Sequence, residues 1–290
     1  MSKVRTIAAI LFALAALPQA VGAQEKTVAL PFLCIGQDPS AASLAGVSLW
    51  SNPASEGFKE RTGYAGLSYQ KWGLSDSGFI SAGGGYTFAE KFSARVFYTH
   101  QSEAPYQVID SEGQDAGTFR PTAMKAGAGF SALLTDHLSA GIDMMYASRT
   151  LASGASHGAF AADLALMADY GGFSAAAGAR RIGSKASGAS IPSSAFVTAG
   201  YRYVLARKHA LSASAEYEYL FYGESAVSAG LSYCFNDIVT VSGGYHMGKI
   251  IPSHASAGLG LNINGVALSA SMLFGEEMGG TMLVGLGYEF

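Results

Sequence analysis

The residues best able to do chemistry are charged side chains on the polar side of segments that alternate between apolar and polar residues: Arg95, Lys125, Asp143, Asp163, Asp169, Arg180, Arg202, Glu216, Glu218 and Glu289, with His246. Opposite charges on neighbouring segments could pair, namely Arg180 with Asp163 or Asp169, and Arg202 with Glu216 or Glu218. Two interpretations stay open. The pairs either stabilise a solvated interior, or they form a polar path that selects a solute. The sequence does not rank solutes.

Patterns for catalysis or metal binding are weak. His246 could be combined with Ser242 or Ser232 in a hydrolase-like arrangement, but serine is too abundant for this coincidence to carry weight. Gly83-Gly84-Gly85 lies inside a predicted strand with no helix after it, so it is not a phosphate loop. We therefore expect no enzyme activity, no catalytic residue, no metal site and no cofactor. The histidines also lack the spacing of a metal-binding helix: His100, His137, His157, His209, His246 and His254.

The amino-terminal stretch predicts export. Residues 1–23 contain Lys3 and Arg5, an apolar run from Ile7 to Leu17, and the ending Val21-Gly22-Ala23, which is typical of a secretory signal peptide that is removed. No other uncharged apolar run approaches the roughly 18 to 20 residues that a membrane-spanning helix needs. Because 49% of the chain is hydrophobic, the apolar residues must be dispersed, and they recur at period two.

Charge and cysteine content restrict the partners. The chain has 18 Lys and Arg against 21 Asp and Glu, with no basic stripe that could neutralise phosphates, so we expect no nucleic-acid partner. An exported compartment permits a disulfide, but Cys34 and Cys234 are far apart and give no framework of several cysteines. Whether they pair stays open.

From Arg61 to Phe290 the chain is a series of period-two segments separated by turn signals. We predict fourteen strands, near residues 62–72, 78–89, 91–102, 122–134, 137–150, 158–171, 173–182, 194–206, 209–222, 225–236, 238–248, 254–263, 265–275 and 281–290.

The connections favour a membrane barrel over a soluble sandwich, which would also alternate. A tight turn follows each even-numbered strand before the last, as at Ala89-Glu90-Lys91 and Asn264-Gly265. The links after odd-numbered strands are mostly longer, with extremes at Gln101–Thr122 and Gly183–Ser193. Short periplasmic turns and longer outer loops are typical of an up-and-down membrane barrel with an even number of strands.

Side-chain types on the two faces agree with this fold. Aromatic residues at strand ends on the apolar face match interfacial girdles: Tyr69, Tyr86, Phe88, Tyr98, Tyr146, Tyr170, Phe173, Tyr203, Phe221, Tyr233, Phe235, Tyr245, Phe274 and Phe290. Fourteen strands enclose an interior that must hold water, a ligand or a plug. The polar face leaves room for a plug because many of its residues are glycine: Gly66, Gly83, Gly85, Gly127, Gly129, Gly230, Gly258, Gly285 and Gly287. We predict an all-β, antiparallel transmembrane barrel over residues 61–290.

The last strand supports a location in the bacterial outer membrane. Its apolar, aromatic-ended face would be an exposed edge in water unless the strand closes a barrel and faces lipid. Tyr288 and Phe290 resemble the signal by which bacterial outer-membrane barrels are recognised for assembly. The resemblance implies that outer-membrane lipid and the barrel assembly machinery are partners.

Residues 24–60 are the non-repetitive part of the mature chain and the candidate plug. Asp38 followed by Pro39 predicts a helix start, with Asp38 as the cap. Since the segment precedes the first strand, we expect it to begin at the periplasmic mouth and fold inward.

Motifs in this segment resemble the amino-terminal signature of the PorV/PorQ family: Ala29-Leu30-Pro31-Phe32-Leu33 with Ile35 and Asp38, then Ala45-Gly46-Val47, and Asn52-Pro53-Ala54. Members of that family are outer-membrane barrels of the type IX secretion system, related in fold to the FadL fatty-acid transporters. The resemblance implies that Asp38, Asn52, Pro53 and Ala54 belong to a plug.

Two functions follow from this resemblance. The first is an accessory component of type IX protein secretion, with secretion-system proteins or exported cargo as partners. The alternative is a FadL-like passive channel for hydrophobic small molecules. Against the alternative, the sequence shows no long apolar pocket, because its apolar residues mostly face lipid.

Overall fold

The structure, a computed structural model, describes residues 28–59, 61–73, 76–109, 111–152 and 155–290. The predicted signal peptide, residues 1–23, lies outside these ranges. Within them the strands are β1 Gly63–Trp72, β2 Ser77–Phe88, β3 Phe92–Ser102, β4 Tyr106–Ile109, β5 Asp115–Phe119, β6 Thr122–Thr135, β7 Leu138–Ala152, β8 Ala155–Tyr170, β9 Phe173–Gly183, β10 Ser194–Ala206, β11 His209–Leu220, β12 Glu224–Phe235, β13 Val239–Met247, β14 His254–Ile263, β15 Val266–Phe274 and β16 Thr281–Glu289.

All strands except β4 and β5 form one closed antiparallel barrel, in which β1 pairs with β16. The closing ladder runs from Tyr64 opposite Glu289 to Lys71 opposite Met282. The predicted fold, an up-and-down barrel of fourteen strands, is confirmed. At one end of the barrel, the turn end, the connections contain two or three residues. At the other, the loop end, most connections are longer.

The longest connection, between β3 and β6, was predicted to be a loop without strands, and this prediction is wrong. The connection contains a separate two-stranded sheet of β4 and β5. The rings of Tyr106 and Phe119 pack with their centroids 5.9 Å apart, and the Tyr106 hydroxyl donates to the carbonyl of Leu151 at 2.5 Å. The alternation of so short a hairpin is too brief to be recognised in the sequence.

The outer surface of the wall is apolar. Leu67, Val96 and Leu231 are 60%, 63% and 60% exposed, and every aromatic residue that the sequence places at a strand end on the apolar face is exposed. An apolar belt of this extent is unfavourable in water and suits the hydrocarbon of a bilayer.

Residues 28–59 lie inside the barrel and are called the plug. The amide of Ala29 donates to the carbonyl of Ser190 at 2.9 Å, in a connection at the loop end. The last plug residues lead into β1 at the turn end. The plug therefore extends along the barrel, and the expectation that it begins at the periplasmic mouth is wrong for its first residues. Its helical segments are two 3-10 turns, Pro31–Cys34 and Pro53–Phe58, and the helix α1, Pro39–Ser43. No helix in the described part of the chain is long and apolar enough to cross a membrane.

The predicted helix start is confirmed. The side chain of Asp38 accepts a hydrogen bond from the amide of Ser40 at 2.9 Å, and Pro39 occupies the first helical position. The helix is short because Ala45 and Gly46 adopt left-handed φ angles of 58° and 84° and reverse the chain.

A row of inward-facing glycines receives the plug. At each of them an added Cβ would come within about 3 Å of a plug atom: Gly285 beside Pro39, Gly258 beside Ser43, Gly244 and Gly230 beside Leu44, Gly200 beside Leu49, and Gly141 beside Pro53. As the plug chain advances, its contacts pass around the wall from β16 through β14 to β12, then β10 and β7. The plug therefore lines one side of the interior.

We expect Gly141→Val to destabilise the protein by about 1–3 kcal/mol, since overpacking a close contact forces the main chain to shift. A Cβ at residue 141 would lie 2.4 Å from the carbonyl carbon of Pro53. Gly66→Val is the matched control, because a Cβ at this inward-facing glycine lies 3.5 Å from its nearest neighbour. Urea unfolding in detergent micelles measures the difference. Equal stability of the two variants would contradict the contact.

Candidate functional site

The larger cavity lies between the plug and the wall of β1, β2, β3 and β16 and has a volume of about 980 Å³. We call it the vestibule. Its apolar lining comes from both sides: Leu44, Val47, Leu49 and Trp50 of the plug, and Tyr64, Phe97 and Met145 of the wall. It also borders Lys59, Arg61 and Glu289, close to the turn end. The sequence shows no long apolar pocket, yet the interior contains a cavity with a partly apolar lining, because the plug supplies apolar side chains that strand periodicity does not reveal.

The smaller cavity, of about 290 Å³, is called the outer chamber. Leu33, Trp72 and Leu273 provide apolar surface, and Gln70 and His246 provide polar surface. Five residues line both cavities and define the neck between them: Gln37, Asp38, Ala41, Ser51 and Lys125.

Apolar side chains close the loop end of the barrel. Met278, in the connection between β15 and β16, is fully buried and belongs to one cluster with Phe32, Trp72 and Phe79. The hydroxyl of Thr281 donates to the carbonyl of Met278 at 2.7 Å, which fixes this connection over the opening. A solute that enters from this end must displace part of this cluster.

Glu216 anchors the plug to the wall. Its carboxylate accepts from the amide and the hydroxyl of Ser48 at 2.9 and 2.6 Å, and from the guanidinium of Arg180 at 2.8 Å. Arg180 lies over the ring of Phe196, with the guanidinium carbon 3.7 Å from the ring centroid. Glu216 is 6% exposed, so this ion pair is screened little by solvent.

A β-bulge directs two consecutive arginines inward. The β8–β9 register shifts so that Arg180 and Arg181 both face Asp163, whose carboxylate accepts from the amide of Arg181 at 2.6 Å. Arg181 has a left-handed φ of 55°, and the next residue, Ile182, faces outward. In a regular strand Arg181 would face lipid. The sequence reasoning missed Arg181, although two adjacent arginines in a membrane strand are themselves a signal for a bulge.

Arg181 is held by groups at the loop end of the wall. It donates to the carbonyl of Pro192 at 2.6 Å and to the hydroxyl of Ser194 at 2.8 Å, and it forms an ion pair with Glu218. Glu218 also accepts from Ser194 at 2.5 Å. The strained backbone of Arg181 is therefore fixed by several partners.

The ion pairs predicted from strand adjacency are wrong. Arg180 pairs with Glu216, two strands away, because its side chain crosses the ring of Phe196. Arg202 lies near the turn end, is 55% exposed and pairs with Asp237 at 3.0 Å instead of with Glu216 or Glu218. A curved wall brings together side chains of strands that are not neighbours.

A second group of charges joins the plug to the wall near the turn end. Glu56 of the plug pairs with Lys59 at 2.8 Å, with Arg61 at 3.2 Å and with Arg95 at 3.6 Å. Arg95 makes a two-point contact with Asp143, with one bond of 2.9 Å. Burial, the largest single influence, raises the pKa of Glu56, but Lys59, Arg61 and Arg95 together lower that pKa below its usual range.

The predicted plug residues Asn52, Pro53 and Ala54 are buried against the wall. Asn52 accepts from the amide of Ala54 at 2.9 Å and donates to the carbonyl of Leu49 at 2.8 Å. Pro53 begins the second 3-10 turn and lies against Gly141. Asn52 thus caps this turn and fixes the preceding bend.

Tyr288 and Phe290 lie on the outer surface, where their rings stack with centroids 6.1 Å apart. The main chain of Phe290 exchanges two hydrogen bonds of 2.9 Å with Gly63, the first residue of β1. These residues therefore sit at the seam that closes the barrel.

Two histidines pack against each other, and neither cysteine forms a disulfide. His246 and His254 stack with ring centroids 5.1 Å apart, and Nδ1 of His246 lies 2.8 Å from the hydroxyl of Ser228. Cys34 and Cys234 are free thiols, and burial raises the pKa of Cys34. In the ranges that the structure describes, no group of three or more His, Cys, Asp or Glu is arranged to hold a metal ion.

Comparison with known proteins shows similarity in fold. The sequence matches no protein-family model and no curated protein. The structure is similar to the Pseudomonas putida toluene transporter TodX, with a TM-score of 0.58 and 12% identity over 86% of this chain and 96% of that chain. A TodX deltaS2S3 mutant, described as a monoaromatic hydrocarbon channel, gives a TM-score of 0.58 and 12% identity over 88% of this chain and 98% of that chain.

We expect Glu216→Gln to destabilise the protein by about 1.5–3 kcal/mol, because it weakens the hydrogen bonds that Ser48 and Arg180 donate to an ionised carboxylate. Glu218, 3.8 Å from Arg180, remains as a second ionised partner. Asp237→Asn is the control, since it breaks the exposed pair with Arg202 and should cost about 0–1 kcal/mol. Urea unfolding of both variants in detergent tests this. Similar decreases in the free energy of unfolding for the two variants would show that Glu216 stabilises the protein no more than the exposed pair of Arg202 and Asp237 does.

We expect the stability of the wild type to fall more steeply with acidification than that of Glu56→Gln. The folded-state pKa of Glu56 is lowered, so its contribution is fully present above the unfolded value of about 4.3 and is lost as pH falls through the folded pKa. Urea unfolding across this range gives the difference between the two proteins. A difference that does not change with pH would contradict the role of Glu56.

Proposed function

We propose that this protein is a passive channel for small hydrophobic molecules in the bacterial outer membrane. The observation that carries the proposal is the presence of two cavities inside the barrel, the outer chamber and the vestibule, which lie on either side of the neck and share its five lining residues. The fold likeness to TodX, described as a toluene transporter, supports it.

The orientation follows from barrel architecture. We place the tight turns in the periplasm and the long connections outside the cell, as in outer-membrane barrels generally. The exposed apolar wall then contacts lipid, and the seam with Tyr288 and Phe290 lies at the periplasmic side, accessible to the assembly machinery. A solute would enter beside Met278, pass the neck and leave through the vestibule.

The vestibule suits an apolar solute because it offers aromatic and aliphatic surface in an otherwise charged interior. Trp50 of the plug is 46% exposed even though it lies inside the barrel. Covering exposed indole surface with an apolar ligand lowers the free energy, because apolar surface is removed from water. Most charged groups around the path are paired with one another, so an apolar solute does not have to strip them of water.

Protein secretion, the function implied by the resemblance to PorV/PorQ, is the weaker candidate. One of the motifs on which the resemblance rests, Asn52 to Ala54, is explained by packing of the plug against Gly141. Their presence therefore does not require a secretion partner. Normal export of all cargo in a deletion strain would exclude this second candidate.

The channel can be tested by blocking the vestibule. We expect Gly66→Trp to reduce toluene uptake to the level of cells without the protein, since Gly66 lines the vestibule. Leu231→Trp is the control, because this side chain is 60% exposed on the outer wall and lines neither cavity. Initial uptake of radiolabelled toluene is measured in a Gram-negative host, whose lipopolysaccharide slows entry of apolar solutes.

Both variants must first be shown to be folded, for example by heat-dependent migration on gels. If cells with the wild type take up toluene no faster than cells without it, the proposed function is wrong. Full uptake through folded Gly66→Trp would contradict the path through the vestibule.

A further inference from the structure

We propose that Lys125 makes the channel favour ring-sized solutes with a negatively charged group, such as small aromatic carboxylates. The inference rests on the proposed channel function and names a class of solute for it. It assigns a selectivity role to one residue of the neck.

Among the described residues, Lys125 is a cation of the proposed solute path that contacts no anionic group. It faces inward on β6 and lines both the vestibule and the outer chamber. In the ranges that the structure describes, its ammonium group forms no hydrogen bond and no ion pair within 4.0 Å. The other inward-facing cations of the wall are engaged: Arg95 with Asp143, Arg180 with Glu216, and Arg181 with Glu218.

The carboxylates nearest to Lys125 are held by other groups, Asp143 by an ion pair and Asp163 by a main-chain amide. Asp143 is held by the two-point contact with Arg95, and Asp163 accepts from the amide of Arg181 at 2.6 Å. Both carboxylates lie beyond 4.0 Å from the Lys125 ammonium. The carboxylate among the five neck residues, Asp38, caps helix α1 by accepting from the amide of Ser40.

An ammonium removed from bulk water without a partner is costly, and a carboxylate that reaches it recovers part of this cost. A solute anion in the neck could approach Lys125 from either cavity. A solute cation would meet the same unpaired charge and be disfavoured.

The size and lining of the cavities favour a ring as the apolar part of the solute. The chain has two tryptophans, and they lie on opposite sides of the neck, Trp72 in the outer chamber and Trp50 in the vestibule. Aromatic rings pack well against indole in offset or edge-on arrangements. The outer chamber, at about 290 Å³, is at the lower end of the size of ligand pockets and suits one ring better than a long chain.

The test compares two permanently charged solutes of similar size and opposite charge, benzenesulfonate and benzyltrimethylammonium, neither of which crosses lipid readily. Their efflux from liposomes that contain the wild type, Lys125→Met or Lys125→Arg is measured. We expect the wild type to pass benzenesulfonate faster. Lys125→Met should lower the ratio of anion to cation efflux about tenfold, equivalent to ~1.4 kcal/mol. Lys125→Arg retains the charge and should keep most of the preference.

A ratio that Lys125→Met leaves unchanged would overturn the inference, as would a wild type that passes the cation equally fast or passes neither ion. If the charge of Lys125 serves only to offset the negative charge of Asp163, Lys125→Met should lower the midpoint of urea unfolding without altering the ratio of anion to cation efflux. Should Lys125→Met fail to fold, Lys125→Gln and Lys125→Arg provide the same comparison. Toluene uptake by cells is scored separately, so that failure of the channel function is distinguished from failure of the selectivity.

Discussion

The structure depends on the contact between the plug and the inner wall. A barrel of fourteen strands is too wide for its own side chains to fill. In this protein a segment of main chain occupies part of the interior, and its polar groups must be satisfied there. Two devices achieve this. Glycines such as Gly141 and Gly258 let the plug backbone approach the wall closely, and buried charges such as Glu216 bind plug amides and hydroxyls directly.

The close contacts between the plug and the wall are concentrated on one side of the interior. The space left on the other side forms part of the proposed solute path. The closest approaches of the plug to inward-facing glycines involve strands from β7 to β16, whereas the vestibule is bordered by β1, β2, β3 and β16. The Glu56 and Glu216 anchors attach the plug at two separate places. The plug thus acts as a lining for one side of the interior, and it contributes the apolar side chains, Trp50 among them, that face the cavity.

Local sequence patterns were sufficient to predict the strands of the wall and the cap of helix α1. Period-two alternation, tight turns and the Asp38-Pro39 pair predicted the strands, their order and the start of helix α1, because each feature depends on residues close together in sequence. The partners of the charged residues could not be found in this way. Arg180 reaches Glu216 across an intervening strand, and Arg181 faces inward only because a bulge changes the alternation. The hairpin of β4 and β5 was missed because its alternation is short.

The closed barrel of alternating strands, with a non-repetitive segment before it, could be predicted from the sequence, since side-chain periodicity dictates which face of a strand meets which solvent. The position of the plug, the pairing of the charges and the location of the cavities could be read only from the folded chain. Those properties depend on barrel curvature and on contacts between residues far apart in the chain. Lys125 illustrates the difference: the sequence identifies it as an inward charge, but only the positions of Asp143 and Asp163 leave it unpaired.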